Sequence, residues 1–433
     1  VTYNQAKGQK SLMLKKWLIL VFPWVIWFIS ILYYLHQYFL RLSFTSLSDK
    51  FTELFHLNMI SLSNLNNAFF YTFIGTQLLG GFLIDRFGVR IMLTLGALFM
   101  GAGCFAFVHS VDVRELELSR TLMGLGAPIA FLGSIKLIDD WFDKKYFQLL
   151  VGVTITIGSI GAFLGEGVLS LWLQEKDWHN LFFSSGVVAI ILALLTFLII
   201  RDYPKEKVHE MREKEKISLI LSNVFNQLKT KDTWLIILFF SLLQVPLLSF
   251  YSFWAIHFFK VRFSESVEHA SLISSLFFLF YSLGVIFFSY LYSKVKHKVL
   301  ILFLATFLAT IFYTSIIYFS NLSELMIIVL VAVTGIFLGA TVFCYSFLRD
   351  LCHQNSVGTM NSIMSAFSIV ISILTNNLIG WFIDNNLSLL ETILNFAGYP
   401  YHVYSRGLGI IIIQLCLAML LILLYGKRKR ALI

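Results

Sequence analysis

The chain has 433 residues, of which 58% are hydrophobic and only 13% charged. A soluble domain of this length has no interior large enough to hide so much apolar side chain, which excludes an ordinary soluble enzyme or binding module. The net charge of +9, from 33 basic against 24 acidic residues, would suggest nucleic acid on a soluble protein; here the bases gather in the turns between apolar runs, and no nucleic-acid partner is expected.

Apolar runs of about 20 residues, the length that crosses a bilayer core, recur from end to end. They predict twelve helical spans at 17–40, 60–84, 91–109, 116–138, 146–173, 181–200, 234–258, 271–292, 299–319, 325–347, 358–383 and 407–425. The first run is too long for the apolar part of a cleaved signal peptide and lacks a small-residue cleavage site, so it is expected to remain. Between the sixth and seventh spans lies 201–233, polar and charged. Within it, 217–228 is amphipathic, the pattern of a segment that lies on a membrane surface. The expected organisation is a six-helix half at 1–200, a central loop at 201–233 and a second six-helix half at 234–433, an internal duplication.

Orientation follows from the bases. With the N-terminus inside, the inner segments hold 24 Lys and Arg and the outer segments seven, Arg41 and Lys260 among them. That imbalance places both termini in the cytoplasm.

The second and third spans are joined by Gly81-Phe82-Leu83-Ile84-Asp85-Arg86-Phe87-Gly88-Val89-Arg90. This is a tight, charged hairpin at a membrane face. Gly81 and Gly88 are expected to let the two helix ends approach. Asp85 ends an apolar run, and Arg86 and Arg90 offset its charge. The segment resembles the signature of the major facilitator superfamily, matching it at Gly81, Leu83, Asp85, Arg86, Gly88 and Arg90 and departing from it at Ile84 and Val89. A degenerate echo at 289–298 has Ser293 in place of the acid. The fourth span opens with Arg120-Thr121-Leu122-Met123-Gly124-Leu125-Gly126-Ala127, which resembles a second motif of that superfamily. The resemblance implies an all-α membrane protein: twelve transmembrane helices in two pseudo-symmetric six-helix halves, with spans one, four, seven and ten around a cavity. It further implies a carrier that works by alternating access. Around Tyr34–Arg41 and Leu378–Asp384 the wording resembles a proteobacterial branch of the superfamily, near siderophore-associated and lysosomal dipeptide carriers.

Within that frame, particular residues stand out. Arg120 is shaped to hold a carboxylate or phosphate of the solute; alternatively it snorkels outward to Glu115 or Glu117. The fifth span carries Gly152, Gly158, Gly161, Gly165 and Gly167, a stripe expected to form a packing seam between the halves. Glu166 sits inside that stripe. An intramembrane acid is a candidate proton or cation site, the alternative being a structural pair with Arg120. Lys136 is expected to snorkel, while Asp139 or Asp140 pairs with Arg86 or Arg90 across the inner face, a latch made in one state of the carrier and broken in the other. Asp85 is expected to face the positive N-terminus of span eleven. Pro23, Pro128 and Pro246 fall inside spans one, four and seven, where each removes a backbone hydrogen bond and bends its helix.

Polar stripes mark the solute-facing sides: Trp27, Tyr34 and Gln37 in span one, Gln244, Tyr251 and Trp254 in span seven, Thr341 and Tyr345 in span ten. No Walker, nucleotide, heme or metal pattern occurs, and Cys104, Cys344, Cys352 and Cys416 have no ligand spacing, so no cofactor and no enzymatic activity are expected. The expected partners are a small organic solute, anionic or zwitterionic, protons at Glu166, and the lipid bilayer of a bacterial inner membrane, with the chain a monomer. Two alternatives stand beside proton-coupled transport: a uniporter or exchanger in which Glu166 is structural, and a transporter-like solute sensor.

Overall fold

A computed structural model describes residues 2–143, 146–170, 177–202, 217–263, 266–352, 357–394 and 401–431. Every regular element among them is a helix. Twelve are long and apolar enough to cross a membrane: Val21–Ser46, Met59–Ile84, Val89–Val108, Val113–Trp141, Leu149–Val168, Trp178–Ile199, Lys231–Phe263, Val267–Tyr292, Lys298–Tyr318, Glu324–Leu351, Gly358–Asn385 and His402–Arg428. We number them as spans 1 to 12. An even number of crossings returns both ends of the chain to one side, here called the termini face; the opposite side is the remote face.

Five of the spans that begin at the remote face share one local device. Asn58, Asp112, Asp177, Ser266 and Ser323 each accept a hydrogen bond from a backbone N–H in the first turn of spans 2, 4, 6, 8 and 10. Each satisfies an amide that the helix cannot. Helix starts at the termini face carry no such side-chain bond at spans 3, 5, 7 and 9. There Gly88 joins spans 2 and 3 directly, at φ 88°. That left-handed conformation strains any residue with a Cβ, and a Cβ here would also stand 2.7 Å from the Asp202 carboxylate.

Several boundaries differ from the sequence reading. Span 1 runs on to Ser46, so Arg41 lies inside it, with only 5% of its surface exposed, and is not a loop base. Pro246 does not simply kink span 7. It opens nine residues of wider π-helix, Pro246–Trp254, because a proline leaves a carbonyl without its usual donor and the ladder re-registers. Span 5 ends in a shorter π-helical turn at Leu164–Val168. Span 10 tightens to a 3-10 turn at Gly339–Thr341. The glycine stripe of span 5 approaches span 1 of its own half: Gly161 lies against the Leu35 backbone and Gly165 against that of Phe39. Only Gly167 faces span 8, at Ser275. Gly81 meets nothing where a Cβ would stand, so close approach at the hairpin rests on Gly88.

Candidate functional site

A cavity lies between spans 1, 2, 4 and 5 on one side and spans 7, 8, 10 and 11 on the other. It offers about 120 Å³ to the centres of water-sized molecules, where a single water needs about 10–15 Å³. The first six spans contribute Tyr34, Gln37, Tyr38, Arg41, Gln77 and Ser159. The last six contribute Gln244, Tyr281, Thr341, Tyr345, Ser365 and Ser368. Aromatic rings hold the walls: Tyr34 meets Tyr38 edge-on at 5.1 Å and tilts over Phe131 at 5.2 Å, and Phe240 meets Tyr345 edge-on at 5.4 Å. The Tyr281 and Thr341 hydroxyls are 3.1 Å apart. Among the described lining residues the one charge is Arg41. Its guanidinium stacks on Tyr38 at 4.4 Å, and Nε and Nη2 have no hydrogen-bond partner.

Five of the nine expected solute-facing residues thus line the cavity: Tyr34, Gln37, Gln244, Thr341 and Tyr345. Four lie elsewhere. Trp27 is two turns nearer the termini face, where its Nε1 donates to Thr154 of span 5 at 3.2 Å. Tyr251 stacks flat on Phe277, 3.7 Å between ring centres, and Trp254 is wholly buried between Phe253 and His257. A period of 3.6 residues per turn puts both on the Gln244 face, and that period fails in the π-helix Pro246–Trp254 that contains them. Arg120 is wholly buried outside the cavity. Its guanidinium lies over Phe44 at 4.2 Å and Phe69 at 5.1 Å, and Nη2 donates to the Asn66 carbonyl at 3.3 Å. It neither snorkels to Glu115 nor reaches the solute space. Arg41, Gln77, Tyr281 and the serines were not picked out from sequence. Arg41 had a signal: Tyr34, Tyr38 and Arg41 follow the i, i+4, i+7 spacing of one helix face.

Glu166 is wholly buried in the π-helical turn of span 5, behind the cavity wall. Both carboxyl oxygens lack a hydrogen-bond partner among the described residues. Its backbone carbonyl accepts from Ser46 at 2.9 Å, which ties it to span 1. It makes no ion pair with Arg120.

Toward the remote face the two halves are clamped together. Asp384, near the end of span 11, accepts from the Met59 and Ile60 amides that open span 2, at 3.2 and 3.0 Å. Asn67 of span 2 donates to Asn377 at 2.8 Å and accepts from Asn376 at 3.3 Å. Asp49, just past span 1, binds His257 at 3.1 Å and also Lys260 of span 7. Burial pushes the Asp49 carboxyl up, but hydrogen bonds and charge from His257 and Lys260 more than reverse this and hold it well below the usual carboxylate range.

At the termini face the polar links described below, all among the described residues, stay within a half. The Arg90 side chain donates to the Phe197 carbonyl at 2.7 Å, and its amide to Asp202 at 2.9 Å. Asp140 is 3.7 Å from Lys136, Asp139 is exposed, and Arg86 is exposed beside the Phe87 ring. The expected latch of Asp139 or Asp140 onto Arg86 or Arg90 is not made in this arrangement, where Arg90 turns outward to span 6 and Lys136 stands by Asp140, as the broken state of that latch would have it. The Asp85 side chain lies outside the described residues. Arg428 of span 12 pairs with Asp232 of span 7 at 2.5 Å, again within one half.

Comparison with known proteins places this architecture. The sequence profile described as Major Facilitator Superfamily matches residues 26–265. A nitrate/nitrite transporter of Nostoc punctiforme is 27% identical over 33% of this chain and 30% of its own length. A 4-hydroxybenzoate transporter of Acinetobacter baylyi is 28% identical over 35% and 33%. The chain thus spans about a third of the length of these curated relatives. It matches more of a hexuronate transporter of Bacillus subtilis, 25% identical over 71% of this chain and 75% of that one. Among solved structures, a bacterial homologue of the human lysosomal transporter Spinster, inward-facing and occupied, superimposes with a TM-score of 0.74 at 15% identity, covering 94% of this chain and 97% of that one. A D-xylose–proton symporter gives 0.66 at 15% identity, covering 91% and 97%. The likeness to those structures is one of fold. With twelve spans, a cavity between two sets of six and a profile match over more than half its length, the chain belongs to the major facilitator superfamily.

Proposed function

We propose that the protein is a secondary carrier that moves a small organic anion across a bacterial inner membrane by alternating access. In this reading residues 1–200 and 234–433 are the moving halves, joined by 201–233, with both termini in the cytoplasm. In this reading the contacts that cross between the halves at the remote face close the carrier toward the outside. One observation carries the reading: a cavity lined from both halves holds a buried guanidinium, Arg41, with two nitrogens unpartnered. A guanidinium fork is the group best shaped for a carboxylate. No Asp or Glu lines the cavity among the described residues, which favours an anion over a zwitterion whose ammonium would need a partner. The relatives' names agree in charge, since nitrate, 4-hydroxybenzoate and hexuronate are all anions. Glu166 is the proton site in this reading, as the buried acid of the N-terminal half without a hydrogen-bond partner.

Uptake of labelled hexuronate, 4-hydroxybenzoate and nitrate into proteoliposomes tests this. Arg41→Gln is expected to lower uptake about tenfold or more, the worth of one charge-assisted hydrogen bond of about 1.5 kcal/mol. Glu166→Gln is expected to abolish accumulation driven by a pH gradient while exchange survives. Uptake of none of these anions, or full activity of Arg41→Gln, would overturn the anion carrier. A second reading, exchange without proton coupling, is favoured by the position of Glu166 behind the cavity wall, and failure of a pH gradient to drive accumulation by the unsubstituted chain, with exchange intact, would establish it.

A further inference from the structure

Several polar groups on the cavity wall have their hydrogen atoms committed inside the protein. The Ser159 hydroxyl of span 5 donates to the Ile155 carbonyl at 3.1 Å, and the Ser368 hydroxyl of span 11 donates to the Ser365 carbonyl at 2.7 Å. A hydroxyl has one hydrogen to give, so toward the cavity both serines can only accept. The Tyr281 and Thr341 hydroxyls spend one hydrogen on each other, at 3.1 Å.

Three lining side chains instead keep buried polar atoms unpartnered among the described residues: Gln37, Arg41 and Gln244. On Arg41 these are Nε and Nη2, both donors; on Gln37 and Gln244 they are the amide oxygens, both acceptors. Gln37 and Arg41 stand one turn apart on span 1, where 1% and 5% of their surface is exposed. Gln244 lines the same cavity from span 7, in the other half. Its backbone is already paired, with the Phe240 carbonyl at 3.0 Å and the Leu248 amide at 2.9 Å, so its side chain is the part free to meet a solute. A buried acceptor without a donor costs free energy until something donates to it.

The unmet atoms describe what they would bind. Donors on Arg41 call for a carboxylate. Acceptors on the two glutamines, with the serines behind them, call for hydrogen atoms on the same molecule. An ammonium could supply those, but no acid among the described lining residues would neutralise it. One guanidinium balances one negative charge, and a phosphorylated sugar would bury a second charge unpaired. We propose that the solute is a sugar acid, a monocarboxylate whose carboxylate sits on Arg41 and whose hydroxyls donate to Gln37 and Gln244. This rests on the reading of Arg41 as the anion anchor. Nitrate has no hydrogen to donate and 4-hydroxybenzoate has one hydroxyl, so either leaves an amide oxygen unmet. Because Gln37 and Gln244 belong to opposite halves, the hydroxyls of one sugar acid join the halves, while its carboxylate holds only the first.

Isothermal titration of the full chain in detergent with D-glucuronate, cyclohexanecarboxylate and D-glucose tests this. Cyclohexanecarboxylate has the same ring size and charge without hydroxyls; glucose has the hydroxyls without the charge. Glucuronate is expected to bind about a hundredfold more tightly than cyclohexanecarboxylate, since pocket atoms left unpaired penalise the analogue. Gln244→Leu should weaken glucuronate about tenfold and shrink its advantage over cyclohexanecarboxylate by the same factor. A merely structural role would weaken both alike and leave that ratio where it was. Should Gln244→Leu not fold, Gln37→Leu is expected to give the same split from the first half. Cyclohexanecarboxylate binding as tightly as glucuronate, or a ratio that the glutamine substitution does not move, overturns the sugar acid and leaves a carrier for some other anion. Glucose binding as tightly as glucuronate, or binding of neither anion, removes instead the Arg41 anchor on which the proposal rests.

Discussion

The two faces of the molecule hold their halves in different ways. At the remote face charged and amide side chains cross from one half to the other: Asp384 onto the opening amides of span 2, Asn67 between Asn376 and Asn377, and Asp49 onto His257 and Lys260. At the termini face the corresponding links, Arg90 to span 6 and Asp202, and Asp232 to Arg428, stay within one half and stiffen it. In the proposed alternating-access reading, polar groups at the first face choose a conformation and those at the second preserve the shape of a moving part. The same residue types thus have opposite leverage, according to whether their partner moves with them.

The sharpest way to break this comparison is Asp384→Ala. Each hydrogen bond to a charged acceptor is worth about 1.5–3 kcal/mol at best, and half-burial reduces the sum to about 2–4 kcal/mol. Removing the carboxylate also leaves two helix-opening amides without their acceptor. The remote face is expected to open in most molecules, read as a gain of remote-side labelling at a cavity cysteine.

Asp49→Asn should act in the same direction and less strongly. Lys260 is 43% exposed, so screening limits the loss to about 1 kcal/mol. The pH dependence has a definite sign. A carboxyl held below its ordinary range contributes to closure fully above about pH 4 and loses that contribution only as pH falls through its lowered folded value. Remote-face closure by Asp49 should therefore be unchanged between neutral pH and pH 5 and weaken only in stronger acid. A loss of closure near pH 6 that Asp49→Asn abolishes would contradict this.

The smallest effect sharpens the contrast. Asp232→Asn breaks an exposed pair inside the second half and is expected to cost about 0.5 kcal/mol or less. It should leave the balance between open and closed forms where it was, as judged by the same labelling. A shift as large as that of Asp49→Asn would erase the distinction between the faces.

Much of the architecture was legible in the sequence because membrane spans are written in the one property hydropathy reads directly, length of apolar chain. That Glu166 lies buried inside a span was legible for the same reason, since it is an acid in such an apolar run. Arg41 was not legible because the apolar run stops at Leu40 while the helix of span 1 continues six residues further, to Ser46. Tyr251 and Trp254 were misplaced because residue spacing encodes a face only while the helix keeps its period, and Pro246 changes it. The clamp at Asp384 was illegible on other grounds. An end-of-span acid looks like any polar boundary residue until a fold brings Met59 and Ile60 to it from more than 300 positions away.

The central claim, that the remote-face contacts hold one of two rigid-body arrangements of the halves, is tested most directly by two distances measured together. Spin labels at Glu53 and Asn321 report separation across the remote face, and labels at Asp139 and Asp350 report it across the termini face; all four residues are exposed. In the unsubstituted chain the first pair should be short and the second long. Combining Asp384→Ala with Asp49→Asn should lengthen the first and shorten the second in the same molecules. If the first lengthens while the second stays fixed, the clamp holds only a local flap, and the account of two halves rocking about the cavity is wrong.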